Sequence, residues 1–222
     1  MSCKIAILGG TGDIGEGLAL RWAIAGHEII IGSRREEKAK DAVERYLKIL
    51  KERGYTDVKM KGMENKEAAA QAEIIVLSIP YEHTLSTLEH IRDVLKDQII
   101  ICPVVPMEKR KGYFIYTPPE EGSAAEMVQK AVPETCKVVA AYQNIAADKL
   151  ANLDLEIDYD VVVCGPKEER KKVMELTEQM GKLRALDGGP LPAARMVEAM
   201  TPLIINVAMK NKMKDVSIKF VE

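Results

Sequence analysis

The sequence predicts an α/β fold: an N-terminal doubly wound parallel sheet followed by a smaller mixed α/β unit. Three observations carry that expectation. Short, nearly continuous apolar runs alternate with longer amphipathic segments, as in strands buried on both faces and the helices that cover them. A glycine-rich turn joins the first apolar run to the segment after it. From about Ala147 a second, smaller set of elements begins, which divides the chain into units 1–146 and 147–222.

In chain order, Ile5-Ala6-Ile7-Leu8 is the first strand, and Gly10-Thr11-Gly12-Asp13-Ile14-Gly15 turns it into a helix over Glu16–Ala25 that Gly26 ends. Glu28–Ile31 is the second strand. Arg35–Arg53 is an amphipathic helix, with Ala39, Val43, Tyr46, Leu47 and Leu50 on one face. Val58–Met63 is a short edge strand, and Asn65-Lys66-Glu67 opens an alanine-rich helix. Ile74–Ile79 and Gln98–Val105 are buried strands around a helical Tyr81–Leu95. Met107–Gly122, with its charges, Gly112 and Pro118-Pro119, reads as a loop over the carboxyl edge of the sheet. Ser123-Ala124-Ala125-Glu126 has capping-box spacing and starts a helix to about Ala131, before a strand at Lys137–Ala141. In the second unit Asp160–Gly165 is a strand, Glu168–Met180 a helix and Leu183–Leu186 a strand closed by Asp187-Gly188-Gly189-Pro190. The last helix, about Ala193–Asn211, is expected to kink at Pro202. Apolar residues surround most of its circumference, so it must be buried in the core or against another subunit, and a homodimer contact is expected for part of it.

Composition narrows the function classes. A net charge of −2 offers no basic surface for nucleic acid, and the 30% of charged residues are mixed in sign. Cys3, Cys102, Cys136 and Cys164 are far apart, with neither disulfide nor zinc-site spacing, and read as reduced, buried thiols of a cytoplasmic protein. The chain enters a strand at once, so no signal peptide is expected. The most apolar late segment, Met196–Met209, holds Glu198, Pro202 and Asn206 and is not a membrane span.

The turn after the first strand carries the chemistry. In a G-x-G-x-x-G turn the first glycine permits the tight bend, and the second lets backbone approach a pyrophosphate. The third lets helix pack on strand, and the helix N-terminus offers N–H groups to the phosphates. Strand before and helix after make this a Rossmann-type dinucleotide site. An NAD site would place a carboxylate at the end of the second strand. Here Gly32-Ser33-Arg34-Arg35 stands there, with Lys38 one helical turn beyond Arg34. A hydroxyl, a guanidinium fork and an ammonium suit a 2′-phosphate, so NADP is expected. The competing reading makes Arg34 and Arg35 solvated helix-start cations, although cations there oppose the helix dipole.

Ligands on such sheets bind beyond the carboxyl ends of the strands. That rule selects Ser78-Ile79-Pro80-Tyr81-Glu82-His83, Pro103-Val104-Val105-Pro106 and Tyr142-Gln143-Asn144-Ile145-Ala146-Ala147 to face the nicotinamide half. His27 reads as structural and His90 as exposed. His83 is a candidate cofactor contact, with a general-acid role as the alternative. No Ser/His/Asp or Cys/His set emerges and no catalytic residue is assigned, which points to chemistry performed by cofactors, as in direct hydride transfer.

Taken together, these residues resemble the F420-dependent NADP reductases, which pass hydride between reduced coenzyme F420 and NADP. The resemblance covers nearly the whole chain. It rests on Gly9-Gly10-Thr11-Gly12 with Gly15, Gly26-His27-Glu28, Gly32 to Lys38, Ile79-Pro80 with Glu82-His83, and Ser123 to Glu126. Ala151 to Asp154, Val163-Cys164-Gly165, Gly189-Pro190-Leu191, Thr201 to Ile204 and Ile218-Lys219-Phe220 complete it. It implies that Thr11, Gly12, Asp13 and Ile14 hold the NADP diphosphate and that Ser33, Arg34 and Lys38 take the 2′-phosphate. Ile79, His83, Val105 and Ala147 would line the ribose and nicotinamide. Gln143, Ile145 and Val216 would touch the 5-deazaflavin of F420, and no side chain need act as acid or base. One departure stands out. Members of the family have His-Thr-Ile-Pro where this chain has Gln143-Asn144-Ile145-Ala146, keeping a hydrogen-bond donor but losing a titratable one. An NADP-dependent imine or hydroxy-acid reductase and a non-enzymatic NADP(H) sensor remain as alternatives.

Overall fold

The computed structural model describes residues 2–214 and 216–222, with Asp13 by its backbone alone. β1 (Lys4–Leu8), α1 (Asp13–Ile24), β2 (Glu28–Ser33), α2 (Glu36–Glu52) and β3 (Met60–Glu64) wind outward to one side. After α3 (Asn65–Gln71) the chain crosses back to β4 (Ile74–Leu77), α4 (Thr84–Ile91) and β5 (Ile99–Cys102). A hairpin of β6 (Met107–Arg110) and β7 (Tyr113–Tyr116) precedes α5 (Ala124–Ala131) and β8 (Lys137–Ala140). The six-stranded sheet has the order β3-β2-β1-β4-β5-β8, and its pairings are parallel. The winding direction reverses between β1 and β4, the switch point where such sheets bind ligands. Register holds the ends of the three central strands level, since Leu8 pairs with both Gly32 and Leu77.

Period-two alternation divides the strand residues between two apolar layers. Ile5, Ile7, Ile29, Ile31 and Val76 face Leu18 and Trp22 of α1 and Tyr46 of α2. Ala6, Leu8, Ile30, Ile75 and Leu77 face Ala68 of α3, Leu88 of α4 and Val128 of α5. The continuous apolar runs follow from this double coverage.

After α6 (Ala147–Ala151) come β9 (Asp160–Val163), α7 (Lys167–Glu178), β10 (Arg184–Asp187) and α8 (Ala194–Asn211). β9 and β10 form a two-stranded parallel sheet, tied to β8 by an antiparallel bridge between Ala140 and Cys164. Val161, Val163, Val173 and Leu176 join the same apolar layer as β1 and α1. Gly17 lets α6 lie on α1: a methyl built on it would stand 2.8 Å from Ala151 N. Arg21 Nε then donates to Leu150 O at 2.7 Å.

Several elements depart from the sequence expectation. The loop expected over Met107–Gly122 contains the β6–β7 hairpin, turning at Gly112 with φ +84°. β6 is charged and exposed and carries no apolar pattern, whereas β7, Tyr113-Phe114-Ile115-Tyr116, is a β-prone run that the loop expectation passed over. What holds β7 is α8, where Asn206 Oδ1 accepts from Phe114 N at 2.7 Å and Asn206 Nδ2 donates to Phe114 O at 2.8 Å. The strand expected over Gln98–Val105 ends at Cys102, ahead of Pro103, and the helix expected over Tyr81–Leu95 is α4 between two 3₁₀ turns. α8 contains Pro202 and buries Val197, Glu198 and Pro202. Its opposite side leaves Met196 64% and Leu203 61% exposed.

Candidate functional site

The turn after β1 is tightened at Gly9 rather than Gly10. Gly9 has φ +72° and its N–H donates to Gly32 O at 3.0 Å, tying the turn to the end of β2. Gly10 is required by crowding instead, since a methyl built on it would stand 2.7 Å from Ile7 O. Buried Tyr46 steadies the turn from α2 by donating its hydroxyl to Gly10 O at 2.9 Å. A methyl on Gly15 would stand 2.6 Å from Gly10 Cα, the close helix–strand approach expected of the third glycine. Gly12 differs, because a methyl there would meet only Gly9 O at 3.7 Å. It is the N-cap of α1 and no side chain caps that helix, so the first-turn N–H groups open onto free space. Asp13 belongs to this turn, and its side chain lies outside the described residues.

A cleft of about 550 Å³ opens there. Thr11 and Gly12 form one wall, Ser33, Arg34 and Lys38 a second, and Ile79 and His83 a third. Hydroxyl, guanidinium and ammonium thus line one cavity, with Arg34 and Lys38 exposed at its mouth. Ser33 is buried at the end of β2, and its Oγ accepts from Arg35 N at 3.4 Å. Arg35 and Ser78, which lie in the segments selected from sequence, share the cleft with Asn65 and Thr87, which were not singled out. For Asn65 a signal existed: it is the polar residue directly after an edge strand, where the carboxyl-edge rule applies.

The cleft continues into a second, of about 580 Å³, through shared Gly12, Ser78, Ile79 and Pro80. Here Ile14, Val105, Gln143, Ile145 and Ala147 meet around a mostly apolar space with Pro103 and Tyr81. Gln143, Ile145 and Thr201 in turn border a third hollow of about 340 Å³ against α8, lined by Ile204, Met209, Met213 and Val216. The predicted site residues other than Asp13 thus lie along one connected groove crossing the switch point.

The loop after β8 is built with strain. Tyr142 is a non-glycine residue at φ +71°. Such conformations persist only where surroundings over-determine them, often at functional sites. Tyr142 is buried, its hydroxyl lies 2.7 Å from Thr177 Oγ1, and its ring meets Trp22 edge-on at 5.8 Å between centroids. This turns the next two side chains toward the groove. Gln143 Nε2 donates to Cys102 O at 2.9 Å, while Thr201 Oγ1 donates to Gln143 O at 2.8 Å. Asn144 Nδ2 donates to Asp160 O at 2.9 Å. Both side-chain oxygens are left without a partner, as are Asn65 Oδ1 and Ser78 Oγ. Each of these buried oxygens belongs to a residue bordering the groove. A buried polar atom without a partner costs about 1–3 kcal/mol, so four along one groove point to ligand donors.

Behind the groove sits a carboxylate that sequence reading passed over. Glu198 of α8 is buried, and its Oε2 accepts from Ala124 N at 2.8 Å and from the Tyr116 hydroxyl at 3.0 Å. Its Oε1 accepts from Ala125 N at 3.1 Å. Burial pushes its pKa up to about 7, against the pull of those three donors. The side chain joins hairpin, α5 and α8 at one point, and burial beside it also raises the Tyr116 phenol. A carboxylate inside an otherwise apolar helix was the available signal.

The remaining candidates fall outside the groove. His27 is structural, accepting from Cys3 N at 3.0 Å and standing 2.7 Å from Gln179 Oε1. His90 is exposed, 3.3 Å from Glu64 Oε1. All four cysteines are free and buried, and burial raises Cys164 to about 11. Among the described residues no three His, Cys, Asp or Glu side chains gather as a metal site, and no helix is long and apolar enough to cross a membrane.

Comparison with known proteins adds a separate line. Residues 4–106 match the family described as NADP oxidoreductase, coenzyme F420-dependent. The chain is 46% identical to an F420-dependent NADP reductase of Methanocaldococcus jannaschii, covering 97% of each. It is 39% identical to the F420-dependent NADP reductase of Methanothermobacter thermautotrophicus, over 99% of this chain and 95% of the relative. A crystal structure of a candidate F420-dependent NADP-reductase from Arthrobacter sp. FB24 superposes over 100% of both chains with a TM-score of 0.81 at 24% identity, a likeness of fold.

Proposed function

The chain belongs to the F420-dependent NADP reductase family, and from that premise we propose that it passes hydride, reversibly, between reduced coenzyme F420 and NADP by direct stacking of the two rings in the groove. The observation that carries this reading is the continuity of the groove, whose polar, cation-lined end opens into an apolar one. The residues present fit both cofactors: Gly12 leaves room for a diphosphate, and the orphaned oxygens of Ser78, Gln143 and Asn144 await donors. When bound, the cofactors would supply the chemistry: a hydride passes from the reduced deazaflavin carbon to the nicotinamide, and the ring N–H proton left behind goes to water.

The chain's own residues bind, orient and exclude water. Thr11, Gly12, Asp13 and Ile14 hold the diphosphate at the helix N-terminus. Ser33, Arg34 and Lys38 take the 2′-phosphate and set the preference over NAD. Ile79, His83, Val105 and Ala147 flank the nicotinamide half, while Gln143, Ile145 and Val216 flank the deazaflavin. Rigid Pro80 and Pro103 and the pinned Gln143 fix the spacing, so proximity and dryness do most of the work. On this reading residues 147–222 form the unit that completes the deazaflavin side, and the enzyme acts in the cytoplasm as a homodimer. The four free thiols and the outward apolar side of α8 support those last two points.

The test is to mix the protein with NADPH and oxidised F420, follow the deazaflavin's visible absorbance, and run NADH beside it. Rapid bleaching with NADPH and little with NADH is expected. Tight NADPH binding without bleaching would move the assignment to an imine or hydroxy-acid reductase or to a sensor.

A further inference from the structure

Six cations gather beyond the apolar end of the groove. Lys109, Arg110 and Lys111 form the tip of the β6–β7 hairpin, and Lys210, Lys212 and Lys214 lie at and just past the end of α8; all are exposed. The two groups meet at Lys210. A methyl built on Gly112 would stand 3.9 Å from Lys210 Nζ, and Asn206, one turn before Lys210, is hydrogen-bonded both ways to Phe114. Glu108 pairs with Arg110 at 2.7 Å, and the other five cations have no salt bridge among the described residues. In a chain of net charge −2 this is a local concentration.

Helix dipole complementarity accounts for Lys210 in the last turn of α8. It does not account for three adjacent cations on the facing hairpin tip, where like charges repel. The cluster also borders the groove directly. Met209 and Met213, interleaved with the cations of α8, line its apolar end, and Met107 at the base of the hairpin lines its middle. We propose that this cluster docks an oligoanionic chain attached to the ring held in the groove, namely the phosphodiester and carboxylates that F420 carries beyond its deazaflavin. The proposal rests on the F420 reading above. Ammonium groups on flexible stems suit such a chain, because they take phosphate and carboxylate as point charges without demanding one geometry.

Fluorescence titrations of oxidised F420, and of its ring-and-ribityl fragment lacking phosphate and carboxylates, test this across a salt series. F420 is expected to bind more tightly than the fragment at low salt, with the difference closing as screening rises. Replacing the three lysines together (K109Q, K111Q and K210Q) is expected to weaken F420 roughly tenfold at low salt and leave the fragment unchanged. Equal affinity for both ligands at every salt, or equal weakening of both by the triple variant, would overturn the proposal. Fragment binding in the wild type keeps the underlying assignment intact even then. If neither deazaflavin binds, that assignment falls and the proposal with it. Salt-dependent retention of single-stranded RNA, lost in the triple variant while F420 affinity is unmoved, would assign the cluster to a polynucleotide instead.

Discussion

The two ends of the groove are built by different means. The phosphate end uses mainly backbone and short local segments: the turn of Gly9 to Gly15 and the strand end Gly32 to Lys38 supply most of its wall. The ring end has no such motif. It is assembled from the loops after β4, β5 and β8 together with α8 and the C-terminal segment, from Ile79 to Val216. A phosphate can be met by N–H groups and cations wherever a strand turns into a helix. Flat rings need several apolar surfaces brought together, and only the whole fold does that.

That contrast predicts where single substitutions bite hardest. Gly12→Val places a side chain in the space left for the diphosphate, so NADP(H) affinity is expected to fall by about a hundredfold or more, with the melting temperature little changed. Gly15→Ala is the counterpart. Its methyl collides with Gly10 Cα at 2.6 Å, so it is expected to cost fold stability first, about 1–3 kcal/mol by thermal or urea unfolding. If Gly12→Val bound NADPH normally, the phosphate end would not lie at this turn. Arg34→Ala comes next: NADP(H) binding is expected to weaken by about 1–3 kcal/mol while NADH binding stays put. Equal losses for both nucleotides would remove Arg34 from the 2′-phosphate.

The same contrast explains how much could be read from the sequence. Runs such as Ile5–Leu8 and Ile74–Leu77 announce buried parallel strands because both faces are covered. The glycines, Ser33 and Arg34 announce the phosphate end because local geometry alone makes it. In the β6–β7 hairpin only half was legible: Tyr113-Phe114-Ile115-Tyr116 after Gly112 is a β-prone run, but Glu108, Lys109 and Arg110 carry no apolar alternation and β7 is held by Asn206 from a helix 92 residues away. Asn65, directly after an edge strand, and Glu198, inside an apolar helix, each carried a local sign, but what they face is set by tertiary packing. Val216 was reached by family resemblance, as nothing in the run Met213 to Ser217 signals a groove wall.

Glu198 makes the ring end the pH-sensitive one. Its pKa rises from 4.5 when unfolded to about 7 when folded, because burial outweighs three donors. The folded state therefore holds the proton more tightly. Its stabilising effect is complete below about pH 4.5, is lost as pH rises to about 7, and is flat above that. The full loss is on the order of 3 kcal/mol. Urea unfolding between pH 5 and pH 8 is expected to show this fall, and Glu198→Gln is expected to flatten it, although the variant is less stable at pH 5. An unchanged slope in Glu198→Gln would mean that other groups set the pH dependence.

The smallest expected effect falls where the two ends meet. His83 closes the 3₁₀ turn before α4 and lines the polar cleft beside Ile79, the residue shared with the apolar one. Its carbonyl accepts from Ser86 Oγ and Thr87 Oγ1, so the backbone is pinned by groups that a side-chain change leaves alone. His83→Ala therefore removes an imidazole face from the cofactor wall without loosening the loop. Loss of one hydrogen-bonding contact predicts a weakening of NADPH binding by about 0.5–1.5 kcal/mol. The pH profile of turnover is expected to keep its shape, because the proton that accompanies each hydride is exchanged with water rather than with this side chain. A limb of the profile that vanishes in His83→Ala would show the opposite, that the junction carries a general acid and is more than a wall.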